Sequence, residues 1–264
     1  MTDGGAFARL LGPASLLRYA WWRLRGRRAT VHLRLRNGPR LLLRPRSAGN
    51  NDYGVAYEIF VHRYYACPRP LPAGSVRLVV DLGANVGFSC LHWLTHYPHA
   101  NIVALEPHPG HFAQCRANIA ANGWLPRVEL TRAAAGVAAQ RIILSDAGAA
   151  SAVRSGDAAG IAAPMLDVYA MLSGRPVDIL KLDIEGSEYP ILADPRFNLL
   201  RPRCVVMEWH GGGAGRQWCL ARFAALHYET TELFDHESHG MLWAFRRADD
   251  GASRQRCSTD GGAG

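Results

Sequence analysis

A chain of 264 residues, 48% hydrophobic, 20% charged and 9% aromatic, holds enough apolar material for one large domain or one domain with an appendage. This composition excludes a disordered chain, a collagen and a coiled coil, and no run of about 18 uncharged apolar residues is present to span a bilayer. The net charge of +8 is uneven: residues 1–46 hold eleven arginines and one acid, Asp3, which is +10, so the other 218 residues sum to −2.

The basic stretch 7–28 has helical character. Leu10, Leu11, Leu16, Leu17, Trp21, Trp22 and Leu24 mix with Arg9, Arg18, Arg23, Arg25, Arg27 and Arg28, and Pro13 interrupts the first turn. The segment is expected to pack on the body; a peripheral membrane surface is the other reading. Residues 10–17 are apolar but short, and Arg18 ends them without a cleavage pattern, so no signal peptide is expected. Residues 30–44 alternate, with Val31, Leu33 and Leu35, then Asn37-Gly38-Pro39, then Leu41 and Leu43. That pattern predicts a half-buried hairpin turning at Asn-Gly, with arginines on its other face. Helical spacing returns over 52–65, where Tyr53 and Glu58 are candidates to touch an acceptor.

From residue 76 short apolar runs alternate with helical stretches. Strands are expected at 76–82, 102–105, 128–133, 177–182 and 204–207, with helices at 86–97, 110–121, 187–192 and 217–226 between or after them. A closing hairpin at 228–234 and 241–245 would make the last strand antiparallel. This predicts an α/β fold, a parallel sheet covered on both faces. Residues 134–165 are rich in Ala and Gly, with a small hairpin expected at 141–144 and 152–154, and the tail from Asp249 is expected to be disordered. The domains predicted are therefore a basic extension 1–49, a body 50–248 and the tail 249–264. None of the six cysteines, at 67, 90, 115, 204, 219 and 257, forms a CxxC pair. Cys90, Cys115 and Cys204 fall in apolar patterns and suit buried thiols in a reducing cytoplasm.

The most informative motif is Val80-Asp81-Leu82-Gly83-Ala84-Asn85-Val86-Gly87, at the end of the first buried strand and the start of a helix. Open α/β sheets bind ligands beyond such strand tips, where the strand order reverses. Asn85 stands where a dinucleotide site needs its middle glycine, which obstructs a pyrophosphate. Asp81 repels phosphate and suits an ammonium group. Glu106, 25 residues after Asp81 in Leu105-Glu106-Pro107, stands where an acid reaches ribose hydroxyls. A cationic nucleoside with an amino-acid end, S-adenosylmethionine, fits this set, with adenine near Ala133 and Ala134. A second constellation follows at the tips of the fourth and fifth strands: Asp183, Glu185, Glu208 and His210. Glu185 is a candidate for acceptor binding. His210 is the first candidate for the general base, with Asp183 or Glu208 orienting it or serving instead. No dense ligand motif such as HExxH occurs, so metal dependence is disfavoured, with Asp183, Glu208 and His210 as the ligands of a metal-assisted variant.

Together these residues resemble the FkbM-type S-adenosylmethionine-dependent methyltransferases. The motifs that carry the resemblance are residues 80–87, Ala104-Leu105-Glu106-Pro107-His108-Pro109, Asn118, Asn122, residues 178–188 and Val206-Met207-Glu208-Trp209-His210. The resemblance implies a Rossmann-like seven-stranded class I sheet. It implies methyl transfer to hydroxyl oxygens of sugars, glycans or secondary metabolites, with S-adenosylhomocysteine as product, and cofactor contacts at Asp81, Gly83, Asn85 and Glu106. Ala84, Gly87, Pro107 and Ala134 belong to the same expected cofactor site. Three alternatives stand beside it. An RNA methyltransferase would suit the basic N-terminus, but a single lysine and an acidic rim speak against nucleic acid. A non-catalytic module attached through that N-terminus is the second. A nicotinamide-dependent oxidoreductase, disfavoured by Asn85, is the third.

Overall fold

The computed structural model describes residues 4–45, 51–144, 153–154 and 160–247. The tail expected from Asp249 lies outside these residues. Pro13 divides the first helical stretch into two helices, α1 (Gly4–Arg9) and α2 (Pro13–Leu24), because proline fits the first helical position but not an interior one. The hairpin follows as β1 (Val31–Arg34) and β2 (Arg40–Leu43), with Leu33 opposite Leu41. Helix α3 (Asp52–Phe60) leads to the body.

The body begins with β3 (Leu78–Leu82), α4 (Phe88–His96), β4 (Asn101–Leu105), α5 (Pro109–Ala121) and β5 (Val128–Thr131). A side sheet comes next: β6 (Ala134–Gly136), β7 (Gln140–Leu144), β8 (Val153–Arg154) and β9 (Ile161–Asp167). Then come α6 (Val168–Met171), β10 (Ile179–Leu182), α7 (Glu188–Ala193), α8 (Phe197–Leu200), β11 (Cys204–His210) and α9 (Gly212–Ala225). The closing strands are β12 (Tyr228–Asp235) and β13 (His239–Arg246).

Seven strands form the main sheet in the order β12-β13-β11-β10-β3-β4-β5. All neighbours are parallel except β13, which runs antiparallel to both β11 and β12. This is the class I methyltransferase sheet. The order reverses between β3 and β10, so the crevice of the fold opens beyond the tips of these two strands. Alternate residues of each strand face opposite layers. Val79, Ile179 and Val206 pack with α3, α4 and the N-terminal elements, whereas Val80, Leu180 and Met207 pack beneath the helices that follow β9. The side sheet has the order β6-β9-β7-β8. Its central strand β9 pairs in parallel with β6 and antiparallel with β7, where only a small hairpin was expected.

The N-terminal elements share one apolar cluster with the body, running from Phe7 and Trp22 through Leu41 and Tyr53 to Trp243. Two amides hold the hairpin to α5. Asn118 Oδ1 accepts from Leu42 N at 2.7 Å and Asn122 Oδ1 from Arg40 N at 2.8 Å, which satisfies the open edge of β2. Of the five body cysteines, those at 90, 115, 204 and 219 are buried and Cys67 is half-buried, and every cysteine of the described residues is a free thiol.

Candidate functional site

The loop after β3 is shaped by three residues with left-handed backbone: Gly83 (φ 83°), Asn85 (φ 49°) and Gly87 (φ 86°). A Cβ on Gly83 would stand 1.9 Å from the Asp183 carbonyl oxygen, and one on Gly87 would stand 2.8 Å from Cys115 Sγ. The first glycine therefore lets the tips of β3 and β10 approach, and the second lets α5 pack on the loop. Asparagine is among the few other residues that tolerate this conformation. The amides of Gly83 and Ala84 both donate to Leu105 O, at 3.0 and 2.9 Å, which ties the loop to the tip of β4.

A cleft opens beside this loop. Gly83, Asn85, Glu106 and Pro107 form one wall, Asp183, Ile184 and Glu185 another, and Ala133, Ala134, Ala135 and Leu144 an apolar floor. Glu106 is buried. Its Oε2 accepts from Asn85 N at 2.8 Å and its Oε1 from His108 N at 2.9 Å, with His111 Nδ1 3.8 Å away. Burial raises its pKa to about 7 against the opposing pull of those two amides.

Asp81 does not face this cleft. It is fully buried, one residue before the strand tip, directly beside Lys181 on β10. Lys181 Nζ lies 3.1 Å from Asp81 Oδ1 and 3.5 Å from Asp183 Oδ2, and it donates to Leu82 O and Gly83 O at 3.2 and 2.6 Å. Asp81, expected beside a ligand directly or through water, has the lysine ammonium as its partner here. Burial opposes the charge on Lys181, but Asp81 and Asp183 prevail and hold its pKa above the ordinary lysine value.

A second cleft lies on the α3 side of the same loop, lined by Val55, Glu58, Ile59, Tyr64, Tyr65 and Phe88, with Glu208 and His239 from the far strands. Gly83, Asn85, Asp183 and Glu185 border both clefts. Ala84 borders only the second, and Gly87 borders neither. Tyr65 donates its hydroxyl to Asp183 Oδ2 at 3.0 Å. Burial works to raise Asp183, yet Lys181, a hydrogen bond from Glu208 and that from Tyr65 keep its pKa below the ordinary value. Glu208 moves the other way, to about 9, through burial and then the adjacent Asp183 charge. The two carboxyls thus hold one proton, on Glu208, and one negative charge, on Asp183. Burial, followed by the same Asp183 charge, raises Glu58 to about 7. Among the described lining residues of this cleft none is Arg or Lys.

Two predicted residues sit elsewhere. His210 borders neither cleft. Its Nε2 is 3.8 Å from Glu185 and 4.0 Å from Glu208, and its buried Nδ1 is 3.9 Å from Glu188 without a hydrogen bond. Its backbone is fixed by pairing of β11 with β13 and by the Tyr189 hydroxyl. Tyr53 points away from the cleft. Its hydroxyl meets that of Tyr19 at 2.8 Å, and its ring packs on Phe7 and Trp22, because the apolar side of α3 faces the N-terminal helices.

Sequence reasoning missed Tyr65, His239 and Lys181 as parts of the site. A lysine inside the apolar run 179–182 was the available signal, since a buried ammonium requires a carboxylate partner. It also missed Glu188, whose carboxylate accepts from Ile184 N and Gly186 N, both at 2.7 Å, and so shapes the left-handed turn at Glu185 and Gly186. Among the described residues no group of three His, Cys, Asp or Glu side chains could hold a metal ion.

The sequence family described as "Methyltransferase FkbM domain" matches residues 81–248. No curated protein sequence matches the chain. Similar solved structures include methyltransferase FkbM from Methylobacillus flagellatus KT, 14% identical over 69% of this chain and 46% of that one, with a TM-score of 0.49. A SAM-dependent methyltransferase from Agrobacterium tumefaciens is 12% identical over 83% of this chain and 70% of that one, with a TM-score of 0.46. A precorrin-6y C5,15-methyltransferase from Geobacter metallireducens GS-15 is 13% identical over 66% of this chain and 82% of that one, with a TM-score of 0.43. The chain spans less than half the length of the first of these. With the family match extending over most of its residues, including both walls of the crevice, the chain belongs to the FkbM methyltransferase domain family.

Proposed function

We propose that this protein is an S-adenosylmethionine-dependent O-methyltransferase whose acceptor is a hydroxyl of an uncharged sugar, glycan or secondary metabolite. The observation that carries this reading is the pair of clefts that meet at Gly83, Asn85, Asp183 and Glu185. One has the chemistry of a nucleoside site and the other that of an acidic, phosphate-free acceptor site.

The residues fit the cofactor. Glu106 offers a carboxylate at the tip of β4 for ribose hydroxyls, and the alanines 133–135 with Leu144 offer a flat apolar surface for a base. The close approach at Gly83, which any Cβ would block, brings the walls from β3 and β10 together at the junction of the two clefts. Asp183 and Glu185 supply negative charge for a cation at the junction. When bound, S-adenosylmethionine supplies an electrophilic methyl group on a sulfonium sulfur. The protein must then hold an acceptor hydroxyl in line and remove its proton. Glu58 has a pKa near neutrality and faces the acceptor cleft, so its carboxylate is the group suited to take that proton. Glu208, protonated, and Asp183, ionised, offer a donor and an acceptor that orient the hydroxyl. Four acidic side chains and no Arg or Lys on the cleft wall oppose a polyphosphate acceptor.

The test is transfer of a radiolabelled methyl group from S-adenosylmethionine to a panel of sugars, polyols, phenols and RNA oligonucleotides. Label in an alkali-stable ether of an uncharged acceptor is the expected result. Label confined to RNA, or no heat of S-adenosylhomocysteine binding, overturns the reading.

A further inference from the structure

Residues 4–45 contain ten arginines and no acid. Only Arg44 forms an ion pair among the described residues, with Asp52. Arg18, Arg34, Arg36 and Arg40 line one groove between the start of α2 and the hairpin, together with His32. None of these four guanidinium groups has a carboxylate within ion-pair distance among the described residues.

Helix α2 adds a second feature. Its Ser15, Tyr19 and Trp22 are buried against the body. On the opposite face Leu17, Trp21 and Leu24 are 74%, 52% and 87% exposed, at i, i+4 and i+7. The Arg25 guanidinium lies 5.3 Å from the centre of the Trp21 ring, and Arg18, at the flank of this stripe, faces the groove. An exposed leucine–tryptophan stripe costs solubility unless something covers it. Leucine and tryptophan on one face with arginine at the flanks is the pattern of a helix lying in a lipid headgroup layer.

We propose that the N-terminal unit docks on the anionic face of a phospholipid bilayer, with Leu17, Trp21 and Leu24 entering the interface and the groove arginines binding lipid phosphates. The excess positive charge matches an anionic surface, and the uncovered leucines match its apolar depth. Nucleic acid would use the arginines but leave both leucines in water. One helix also links the docking face to the second cleft. Helix α3 packs Tyr53 against Tyr19 and Trp22, while its Val55, Glu58 and Ile59 line the second cleft. Docking would therefore hold that cleft close to the bilayer.

The experiment uses the full-length chain in sedimentation with equimolar phosphatidylglycerol–phosphatidylcholine vesicles and with phosphatidylcholine alone. Binding to the anionic vesicles is expected, and at least about tenfold weaker binding for the Leu17→Ser/Leu24→Ser variant. Each charge reversal, Arg18→Glu or Arg36→Glu, is expected to weaken it about fivefold or more. All four positions lie on the surface, and an unchanged thermal melt for each variant separates lost docking from lost folding. Absence of anionic-vesicle binding overturns the proposal. So does undiminished binding of the serine variant, preferential binding of an RNA hairpin, or a wild-type dimer that the serine variant converts to monomer.

Discussion

Glu106 couples ligand affinity to pH. Its carboxyl is buried, and burial raises its pKa from the ordinary 4.5 to about 7 although two backbone amides donate to it. The shift corresponds to about 3 kcal/mol of ionisation cost in the folded protein. An acid with a raised folded pKa lowers stability fully above about 7 and not at all below about 4.5. The ligand-free protein should therefore melt at a lower temperature at pH 8 than at pH 5.5. A ribose diol donates to the ionised carboxylate, so the binding-competent fraction rises from about a tenth at pH 6 to about nine tenths at pH 8. Calorimetric titration with S-adenosylhomocysteine should show affinity improving about tenfold over this range. In Glu106→Gln the affinity slope should vanish, the melting slope should shrink to the part that Glu58 and Glu208 contribute, and affinity should fall at least tenfold. His111, 3.8 Å from the carboxylate, is the nearest other titratable group, and Asp81 and Lys181 act from the neighbouring strands. His111→Gln should therefore keep most of the slope. A flat wild-type profile, or an equal slope in Glu106→Gln, refutes the reasoning.

Lys181→Met strips the cation from two carboxylates at once, so chemical denaturation should reveal a loss of about 3–5 kcal/mol. Adding Asp81→Asn should recover part of it, and a loss below about 1 kcal/mol would contradict the pairing. At saturating S-adenosylmethionine, turnover should rise through about pH 7 as Glu58 ionises and fall near pH 9 as Glu208 loses the proton it shares with Asp183. Rate profiles of Glu58→Gln should lose the acid limb; its persistence would remove Glu58 from proton transfer. Tyr53→Phe breaks the contact with the Tyr19 hydroxyl, which should cost about 1 kcal/mol in thermal unfolding with turnover unchanged.

The alternation of buried runs and helical stretches was enough to read the main sheet, because parallel strands buried on both faces leave continuous apolar segments such as 78–82 and 179–182. The turn at Asn37-Gly38 was legible for a local reason, the preference of Asn, Gly and Pro for turns, although neither Asn37 nor Gly38 takes left-handed backbone and the turn is closed by Gly38 N donating to Leu35 O at 3.4 Å. Strand β9 was not legible. Its Ala162, Ala163 and Pro164 carry no period, and only pairing with β6 and β7 defines it. In the site, the gathering of Glu106, Asn85 and Gly83 beside one cleft was legible because loop chemistry is local. The partner of Asp81 was not legible, because its environment depends on register: only the pairing of β3 with β10 brings a lysine alongside. Nor was it legible that His210 borders neither cleft, since its backbone position is set by β13 and Tyr189. Asn118 and Asn122, noticed only as motif letters, hold a hairpin some 76 and 82 residues away in sequence.

Lys181 is the sole lysine of the chain, and only 1% of its side chain is exposed. The folded surface therefore offers no lysine amine to acylating reagents, succinimidyl crosslinkers or ubiquitin ligases. An adduct on this residue forms only in molecules whose β3 and β10 tips have separated, so the yield of labelling over time records how often the heart of the sheet opens.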